Sequence, residues 1–533
     1  IYCSDISAVS FDISYDASAR KVLDVYRRKS MSEFLGAFPQ IFSSPVLAVL
    51  LIFGGCSIGI IFGCVPGLTA GIAIALFLPI TFQMDIIPSF TLLLALYIGG
   101  ISGGLISAIL LKIPGTPASV ATVFDGGPMA DRGEAWKALS VSIVFSFIGT
   151  MIGVLVLCFL TPVLGAISLS FGVFEYFSIA LFSLTLVSAL CGDSIVKGLI
   201  ACLIGLFLAC VGSAPIDGFT RYTFGIHALD AGFNEVPALV GLFAISELLN
   251  NTRVEEQKTN LVHFNRKGFG MSLKEFLGQI PNAIRSGLIG VFIGILPGIG
   301  GSVCNLLAYG VTKKSSKYPE KFGTGIIDGL VASETSNNAC IGGTMVPLLT
   351  LGIPGDAVTA ILLGAFTING LTPGPMFYQD NIKLIYVIFA LMFICAIATF
   401  IIQYFGIKVF TQVLRIPKNI LLPMVMVMCI VGSFAANHRI FDVWTLLFWG
   451  ILGYVMNQFE IPLTPIIMGF ILGPICEKYL RRGLMMSQND FSVFFERKIS
   501  GAFLILAIVM VIVTFVTQMM KMKRKTDIRK DNS

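Results

Sequence analysis

Apolar runs long enough to enter or cross a lipid bilayer follow one another along almost the whole chain. In the first half they cover approximately residues 44–63, 68–82, 88–112, 137–160, 174–191, 195–212 and 235–250. In the second half they cover approximately 283–297, 298–311, 325–350, 356–372, 382–408, 419–437, 440–457, 460–476 and 500–520. Several runs are too short to span a bilayer as helices, so we expect some of them to enter the membrane and return.

The composition agrees with a membrane environment. Hydrophobic residues make up 56% of the 533 residues and charged residues 12%, about half the roughly 25% that is usual in soluble domains. A soluble domain of this composition would expose too much apolar surface, whereas lipid is its natural solvent. We therefore predict an all-α polytopic membrane protein, because helices satisfy their own backbone hydrogen bonds in lipid. The net charge of +6 indicates no acidic partner, so no nucleic acid is expected.

The twelve cysteines and three histidines form no recognisable metal site or catalytic group. The cysteines are scattered through apolar runs without CxxC spacing, which is typical of buried thiols. The isolated residues His227, His263 and His438 indicate neither a zinc site nor a His-based triad. We expect no cofactor and no enzymatic activity. An intramembrane enzyme would need paired Asp, Ser/His or metal-ligating residues within the apolar runs, and the sequence pattern contains none.

Polar stretches divide the chain into parts. The first 30 residues carry nine charges and lack an initiator Met, so we interpret 1–30 as an N-terminal extension outside a fold that begins near Met31. The other predicted parts are a first transmembrane repeat at 31–250, a cytoplasmic linker rich in Arg and Lys at 251–275, a second transmembrane repeat with a C-terminal helix at 276–520, and a basic cytoplasmic tail at 521–533.

Two Pro-Gly motifs recur in the same order in both halves. Pro66-Gly67 matches Pro297-Gly298 at an offset of 231 residues, and Pro114-Gly115 matches Pro354-Gly355 at an offset of 240. Nearly constant offsets indicate an internal duplication. Helices broken by Pro and Gly at corresponding places of two halves are the best sequence indication of a transporter binding site.

Loop charges indicate that the second copy is inverted. The loop 83–85 has no basic residue, whereas the equivalent loop at 313–321 holds four lysines. The positive-inside rule puts these loops on opposite sides of the membrane. The predicted fold is therefore two inverted structural repeats with Pro/Gly-broken re-entrant hairpins. The same count places Lys478, Arg481 and Arg482 outside, so either a segment at 440–476 is miscounted or that loop breaks the rule.

The segment 113–122, with the sequence IPGTPASVAT, is the first candidate binding segment. Pro removes amide donors and Gly permits unusual backbone angles, so a helix that arrives at Lys112 must end there. Free amides, hydroxyls and the start of the next helix would form an anion-binding concavity. An ordinary kinked helix with a polar loop is the alternative. The candidate substrate-binding residues here are Pro114, Gly115, Thr116, Pro117, Ser119 and Thr122.

Six consecutive polar residues at 333–338 form the second candidate segment. Inside an apolar stretch they are costly unless they face each other or a ligand. We assign Glu334, Asn337 and Asn338 to a coupling ion, and Thr335, Ser336, Asn337 and Asn338 to the substrate. A cytoplasmic loop between two short segments is the alternative reading.

The third candidate segment is centred on Pro354 and Gly355 and is predicted to be the tip of a re-entrant hairpin. A short extramembrane loop is the alternative. In an inverted duplication the two hairpin tips would face each other near the midplane. We therefore expect Gly115 and Gly355 to lie near one shared cavity, where amides and positive helix ends hold a carboxylate.

The chain closely resembles the large membrane subunit of tripartite tricarboxylate transporters, the TctA family, over roughly residues 40–500. The resemblance is carried by the runs GGLISAILLKIPGTPASVATVFDGGPMADRG, GILPGIGG, ASETSNNA, LTLGIPGDAVTAILLGAF and GLTPGP. It implies a permease of the bacterial inner membrane for a small carboxylate, driven by a Na⁺ or H⁺ gradient. It also implies two partners, a small four-helix membrane subunit and a periplasmic solute-binding protein. The family's Pro-Glu pair is here Ser333-Glu334.

Two other functions are compatible with the sequence. One is a passive channel, and the other is a stand-alone carrier for organic anions without a binding-protein partner. Saturable, gradient-dependent uptake would separate a coupled transporter from a channel. The sequence indicates neither which carboxylate is carried nor whether Na⁺ or H⁺ is coupled.

Overall fold

The computed structural model describes residues 32–168, 171–190, 194–251, 268, 270–414 and 418–531. Within these residues the chain is almost entirely helical, with a single two-stranded hairpin. The extension 1–30 and most of the predicted linker 251–275 lie outside the described residues, so the interpretations of both stay predictions.

The helices follow the predicted apolar runs closely. In the first half they are α1 (32–41), α2 (Pro45–Cys64), α3 (Ala70–Phe77), α4 (Ile86–Leu110), α5 (Val120–Asp131), α6 (Ala135–Ser168), α7 (Val173–Leu190), α8 (Ile195–Ala209), α9 (Glu235–Val240) and α10 (Ser246–Asn251). In the second half they are α11 (Leu273–Ile295), α12 (Gly300–Ser315), α13 (Ile327–Leu351), α14 (Ala357–Ile368), α15 (Pro375–Asp380), α16 (Ile382–Val413), α17 (Lys418–Asn437), α18 (Ile440–Gln458), α19 (Leu463–Met486), α20 (Val493–Glu496) and α21 (Lys498–Asp531).

Some boundaries differ from the sequence interpretation. Helix α11 begins at Leu273, inside the stretch assigned to the linker, because Ser272 and Glu275 cap it reciprocally. The polar run 333–338 lies within the continuous helix α13, so the alternative of a cytoplasmic loop there is wrong. Pro117–Ser119 form a 3₁₀ turn that leads into α5.

Helices α4 and α13 form the centre of the protein. Every residue of the apolar part of α4 is buried, and α13 is buried from Gly329 to Thr350. By contrast, α21 exposes Ile505, Val509 and Val513, as expected of a surface that faces lipid. Eight helices in the described residues are long and apolar enough to cross a membrane. The prediction of an all-α polytopic membrane protein is confirmed.

Glycines let α2 cross α4, and α11 cross α13, at backbone contact. A Cβ added to Gly63 would lie 3.0 Å from Gly103 Cα, and one added to Gly294 would lie 3.0 Å from Gly343 Cα. Only a residue without a side chain permits such an approach. The sequence repeat aligns Gly63 with Gly294 and Gly103 with Gly343, so both halves pack in the same way.

The contacts at the ends of α4 and α13 give the relative direction of these helices. Lys112, just after α4, pairs with Asp131 at 2.6 Å, and the adjacent Arg132 donates to Gly325 O at 2.8 Å, just before α13. The first residues of α4 instead line a groove with residues 380–384 of α15 and α16. Gly352, at the end of α13, packs against Pro373 O, just before α15. The end of α4 therefore lies beside the start of α13, and the two helices run in opposite directions.

Asp125 fastens α5 to the segment that precedes α13. Its Oδ1 accepts hydrogen bonds from the backbone N–H groups of Gly323 (2.9 Å), Gly325 (2.8 Å) and Ile326 (3.0 Å). Its Oδ2 accepts from the Tyr309 hydroxyl at 2.9 Å. Because three amides converge on one oxygen, the end of α5 and the start of α13 are held as a unit.

An antiparallel hairpin, Gly212–Ser213 with Thr220–Arg221, lies beside the far end of α19 and was not predicted. Arg221 pairs with Glu477 at 2.7 Å, and Arg481 pairs with Asp217 at 3.0 Å. The hydrogen bond from Arg481 lowers the pKa of Asp217. These ion pairs tie the hairpin to the basic cluster at 478–482, and the side of the membrane on which that cluster lies stays a prediction.

Candidate functional site

The first tip, residues 112–119, turns back toward the middle of the protein from the end of α4. Lys112 has a φ of +58° and ends the helix. A Cβ on Gly115 would overlap Gly63 O and lie 2.9 Å from Gly104 Cα. The tip therefore sits directly on the glycine crossing of α2 and α4, and only Gly fits at 115.

The second tip, residues 352–356, sits on the equivalent crossing of α11 and α13. Gly352 ends α13 with a φ of +71°. A Cβ on Gly355 would lie 2.7 Å from Gly294 O and 2.6 Å from Thr344 Cα. The Gly298 N–H donates to Gly355 O at 2.7 Å, which joins the second tip to the Pro-Gly motif after α11.

The two tips are capped alike but carry different side chains. Ser119 Oγ accepts from Thr116 N at 3.2 Å, and at the aligned positions Thr359 Oγ1 accepts from Asp356 N at 2.9 Å. The Asp356 carboxylate also accepts from Thr359 N at 2.7 Å and from the Tyr97 hydroxyl at 3.2 Å. Thr116 Oγ1, by contrast, is buried without a hydrogen-bond partner among the described residues.

The first turn of α12 contacts both tips. A Cβ on Gly301 would lie 2.9 Å from Ala118 Cβ in the first tip. A Cβ on the neighbouring Gly300 would lie 3.1 Å from Asp356 Cβ in the second tip. The two tips therefore meet the same helix start, whose free N–H groups give it a partial positive charge.

Asn337 of α13 faces this helix start with an unused amide. A Cβ on Gly301 would lie 2.8 Å from Asn337 Oδ1. The Asn337 side chain is 1% exposed, yet neither its oxygen nor its nitrogen has a partner among the described residues. Asn305 Oδ1 is also unpaired, while its Nδ2 donates to Ala118 O. Buried polar groups are nearly always hydrogen-bonded, so the unpaired atoms make this cluster a candidate binding site.

Glu334, the second residue of the polar run, lies in a separate network. Its carboxylate accepts from the hydroxyls of Thr122 (2.5 Å) and Ser146 (2.8 Å), and from Asn338 Nδ2 at 3.4 Å. Asn338 Oδ1 in turn accepts from the Ser102 hydroxyl at 2.6 Å. None of these partners is basic. A carboxylate buried without a cation is expensive, so Glu334 requires a proton or a nearby cation.

The structure separates the predicted site residues into several sets. Asn337 faces the first turn of α12 beside Ala118 of the first tip, whereas Thr116 Oγ1 lies against Gly104 of α4. Glu334, Asn338 and Thr122 form a separate network. The hydroxyls of Ser336 and Ser119 donate hydrogen bonds to nearby backbone carbonyls. The remaining members, which the structure places at the tips or on other faces, are Pro114, Gly115, Pro117, Pro354, Gly355 and Thr335. All these binding assignments stay predictions.

Sequence reasoning missed several residues that the structure adds. They are Tyr97, Ser102, Ser146, Gly301 and Asn305. Applying the repeat offset of 240 to Asn337 would have found Tyr97. Ser102 and Ser146 carry no such signal, because single serines are common in membrane helices.

The arrangement can hold a carboxylate without a basic side chain. The segments 86–111, 113–131, 286–312 and 326–370, which build the tips and the central helices, contain no Lys or Arg. The candidate donors at the tips, Asn337 Nδ2, the Thr116 hydroxyl and the N–H groups at the start of α12, are therefore all neutral. Among the described residues, no group of three or more His, Cys, Asp or Glu could hold a metal ion.

A multi-pass helical protein with a buried polar site between two Pro-Gly tips belongs to the class of membrane transporters. The comparison with known proteins agrees. The profile of the "Tripartite tricarboxylate transporter TctA family" matches residues 49–468. The chain belongs to this family, as the resemblance in its motifs indicated.

Two curated relatives come from Agrobacterium vitis. The chain is 33% identical over 480 residues to the "Uncharacterized 52.8 kDa protein in TAR-I ttuC' 3'region", covering 90% of this chain and 95% of that protein. It is 37% identical over 223 residues to the "Uncharacterized protein in TAR-II ttuC' 3'region", covering 42% of this chain and 92% of that protein. No solved structure matches the chain.

Proposed function

We propose that this chain is the translocating subunit of a secondary transporter that carries a small tricarboxylate or dicarboxylate across the bacterial inner membrane. A Na⁺ or H⁺ gradient drives transport. A periplasmic solute-binding protein delivers the substrate, and a small four-helix membrane subunit completes the complex. Membership of a tripartite transporter family supports the presence of partner subunits.

The observation that carries the proposal is the unused amide of Asn337. It is buried beside the start of α12, which also contacts Ala118 of the first tip, and the same tip holds the unpaired Thr116 hydroxyl. Two neutral donors and a helix N-terminus suit a carboxylate group, which accepts hydrogen bonds and is attracted to the positive end of the helix. The same amide presents an oxygen to a cation that travels with the substrate.

We also propose that the two halves are inverted repeats and that the tips belong to re-entrant hairpins. Three features support this. The aligned helices α4 and α13 run in opposite directions, the aligned glycines make the same contacts, and both tips return to the glycine crossings of their own half. In this arrangement α13 carries the coupling residues Glu334 and Asn338 between the tips.

The test of function is uptake into proteoliposomes that contain this chain and both partners. A panel of labelled di- and tricarboxylates is offered with a Na⁺ gradient, a proton gradient or neither. We expect saturable accumulation of at least one carboxylate under one gradient. Non-saturable flux that ignores both gradients would favour a passive channel. Gradient-driven uptake that needs no binding protein would favour a stand-alone carrier.

Asn337→Ala is expected to weaken carboxylate binding by roughly 10- to 150-fold, because a hydrogen bond to a charged group contributes about 1.5–3 kcal/mol. Stability without substrate should not fall, and removal of an unpaired buried amide should raise it by about 1 kcal/mol. Half-saturation of uptake and the thermal unfolding temperature measure the two effects. Asn369→Ala is the control, because the Asn369 amide donates only to Ala365 O of its own helix. Unchanged half-saturation in Asn337→Ala would remove this residue from the site.

The inverted arrangement predicts the sides on which two exposed residues lie. Gln83 and Ser315 are the last residues of matching helical segments of the two halves, and both are exposed. Single cysteine substitutions at these positions, made in a background without reactive cysteines, should react with a membrane-impermeant maleimide from opposite sides. Reaction of both from the same side would contradict the inverted repeat.

A further inference from the structure

A second group of unpaired polar atoms lies on α16, away from the tips. Thr399 Oγ1 and Gln403 Nε2 are buried, with 2% and 1% of their residues exposed, and neither has a hydrogen-bond partner among the described residues. One helical turn separates them, so they lie on the same face of α16. Both line a narrow space between α4, α6 and α16, which we name the α16 crevice.

The other polar groups of the α16 crevice are hydroxyls that already donate hydrogen bonds to groups within the protein. Ser102 donates to Asn338 Oδ1, Ser146 to Glu334 Oε2 and Thr150 to Ser146 O. A hydroxyl that donates its proton elsewhere still has oxygen lone pairs free. Three such oxygens, with the Thr399 hydroxyl and the Gln403 amide, line the crevice together.

We propose that the α16 crevice is a Na⁺ site, distinct from the carboxylate site proposed at Asn337. Hard cations prefer oxygen ligands, and the four hydroxyl groups that line the crevice each have an oxygen. Gln403 supplies a fifth oxygen when its side-chain amide is flipped so that Oε1 faces the crevice. The crevice is too narrow for a water molecule, whereas a bare Na⁺ ion is smaller.

The negative charge for this site comes from Glu334. Its carboxylate is one hydroxyl away, because Ser146 lines the crevice and donates to Glu334 Oε2 at 2.8 Å. The crevice lining itself contains no titratable side chain, which favours a metal cation over a proton as its occupant. An ion here would bridge α16 to α4 and α6 and would balance the negative charge of the buried Glu334 carboxylate.

Na⁺ can bind in the α16 crevice whether or not the protein transports carboxylates. Only a role of this ion in coupling rests on the proposed function. The site is therefore tested with Na⁺ alone. Purified full-length protein in detergent is titrated with NaCl against choline chloride, and binding is read from ²²Na⁺ retention and from the Na⁺-dependent shift of the unfolding temperature.

Thr399→Val removes the hydroxyl and keeps the shape of the side chain. We expect its half-saturating Na⁺ concentration to rise by at least about tenfold, and Thr399→Ser to restore binding, because a contact with an ion is worth about 1.5 kcal/mol or more. Thr411→Val is the matched control on the same helix, since the Thr411 hydroxyl donates only to Lys408 O. Gln403→Leu gives an independent second variant and should also weaken Na⁺ binding.

Na⁺ binding by Thr399→Val and Gln403→Leu that equals the wild type would overturn the proposal, as would a wild-type protein that binds no Na⁺. Variants that change only the pH dependence of stability would also overturn it and would indicate a proton path. Carboxylate affinity at saturating Na⁺ should be normal in Thr399→Val and reduced in Asn337→Ala. Suppose that Asn337→Ala keeps normal carboxylate affinity while Thr399→Val still weakens Na⁺ binding. That result would contradict the proposed carboxylate site and would still support the Na⁺ site in the α16 crevice.

Discussion

Glu334→Gln should abolish gradient-driven accumulation while exchange of labelled for unlabelled carboxylate continues. The buried carboxylate of Glu334 has three neutral donors and no basic partner, so its charge must be balanced by the coupling ion. Gln keeps the size of the side chain but is permanently neutral. Coupling to one net charge across a potential of about 100 mV is worth about 2.3 kcal/mol, so the lost accumulation is about 50-fold.

The measurement compares accumulation and exchange in the same proteoliposomes. Asp442→Asn is a suitable control, because Asp442 is another buried acid and lies on α18, outside the Glu334 network. Its carboxylate accepts a hydrogen bond from Asn437 Nδ2 of α17 at 2.7 Å. This variant should keep full accumulation. If Glu334→Gln accumulates substrate as well as the wild type does, Glu334 is a structural group and the coupling ion binds elsewhere.

Gly63→Val should prevent formation of the folded protein. A Cβ at this position would overlap Gly100 O and press on Gly103 Cα, and backbone cannot move aside as a flexible side chain can. We expect a cost above the roughly 1–3 kcal/mol of ordinary overpacking, which is a large part of a total stability of about 5–15 kcal/mol. The yield of monodisperse protein in size-exclusion chromatography measures the effect.

The duplication supplies a second, independent version of this experiment. Gly294→Val should fail in the same way, because its Cβ would approach Gly343 Cα at 3.0 Å. Matched controls lie on the same two helices, since a Cβ added to Gly54 of α2 or Gly278 of α11 meets no atom within 4 Å. Well-folded Gly63→Val or Gly294→Val protein would mean that the helices do not cross at these glycines.

The positions of the membrane helices were largely predictable from sequence. Helix α4 was expected at 88–112 and spans Ile86–Leu110, because apolar length and Pro-Gly breaks both act locally. The course of α13 was harder to predict, since a cytoplasmic loop remained an alternative for its polar run. What makes it a helix is tertiary: hydroxyls of α5 and α6 satisfy Glu334.

The candidate site was predictable in its segments and not in its partners. Asn337 and Thr116 were singled out by local polarity, but their lack of partners is visible only in three dimensions. Ser146 lies 188 residues from Glu334 in sequence, and no pattern links the two. The hairpin at 212–221 was missed because its two-residue strands are too short to show an alternating pattern.

The unequal caps of the two tips have a consequence for the number of carboxylate groups that the proposed site would bind. Asp356 brings its own carboxylate to the second tip, where the Tyr97 hydroxyl donates to it at 3.2 Å. Thr116 at the aligned position has a shorter, uncharged side chain, and Asn337, aligned with Tyr97, is left without an acceptor. The carboxylate that the second half supplies from its own chain therefore has no counterpart in the first half. Although the chain is built from two similar halves, we expect the whole chain to bind one carboxylate group, at the first tip, rather than one at each tip.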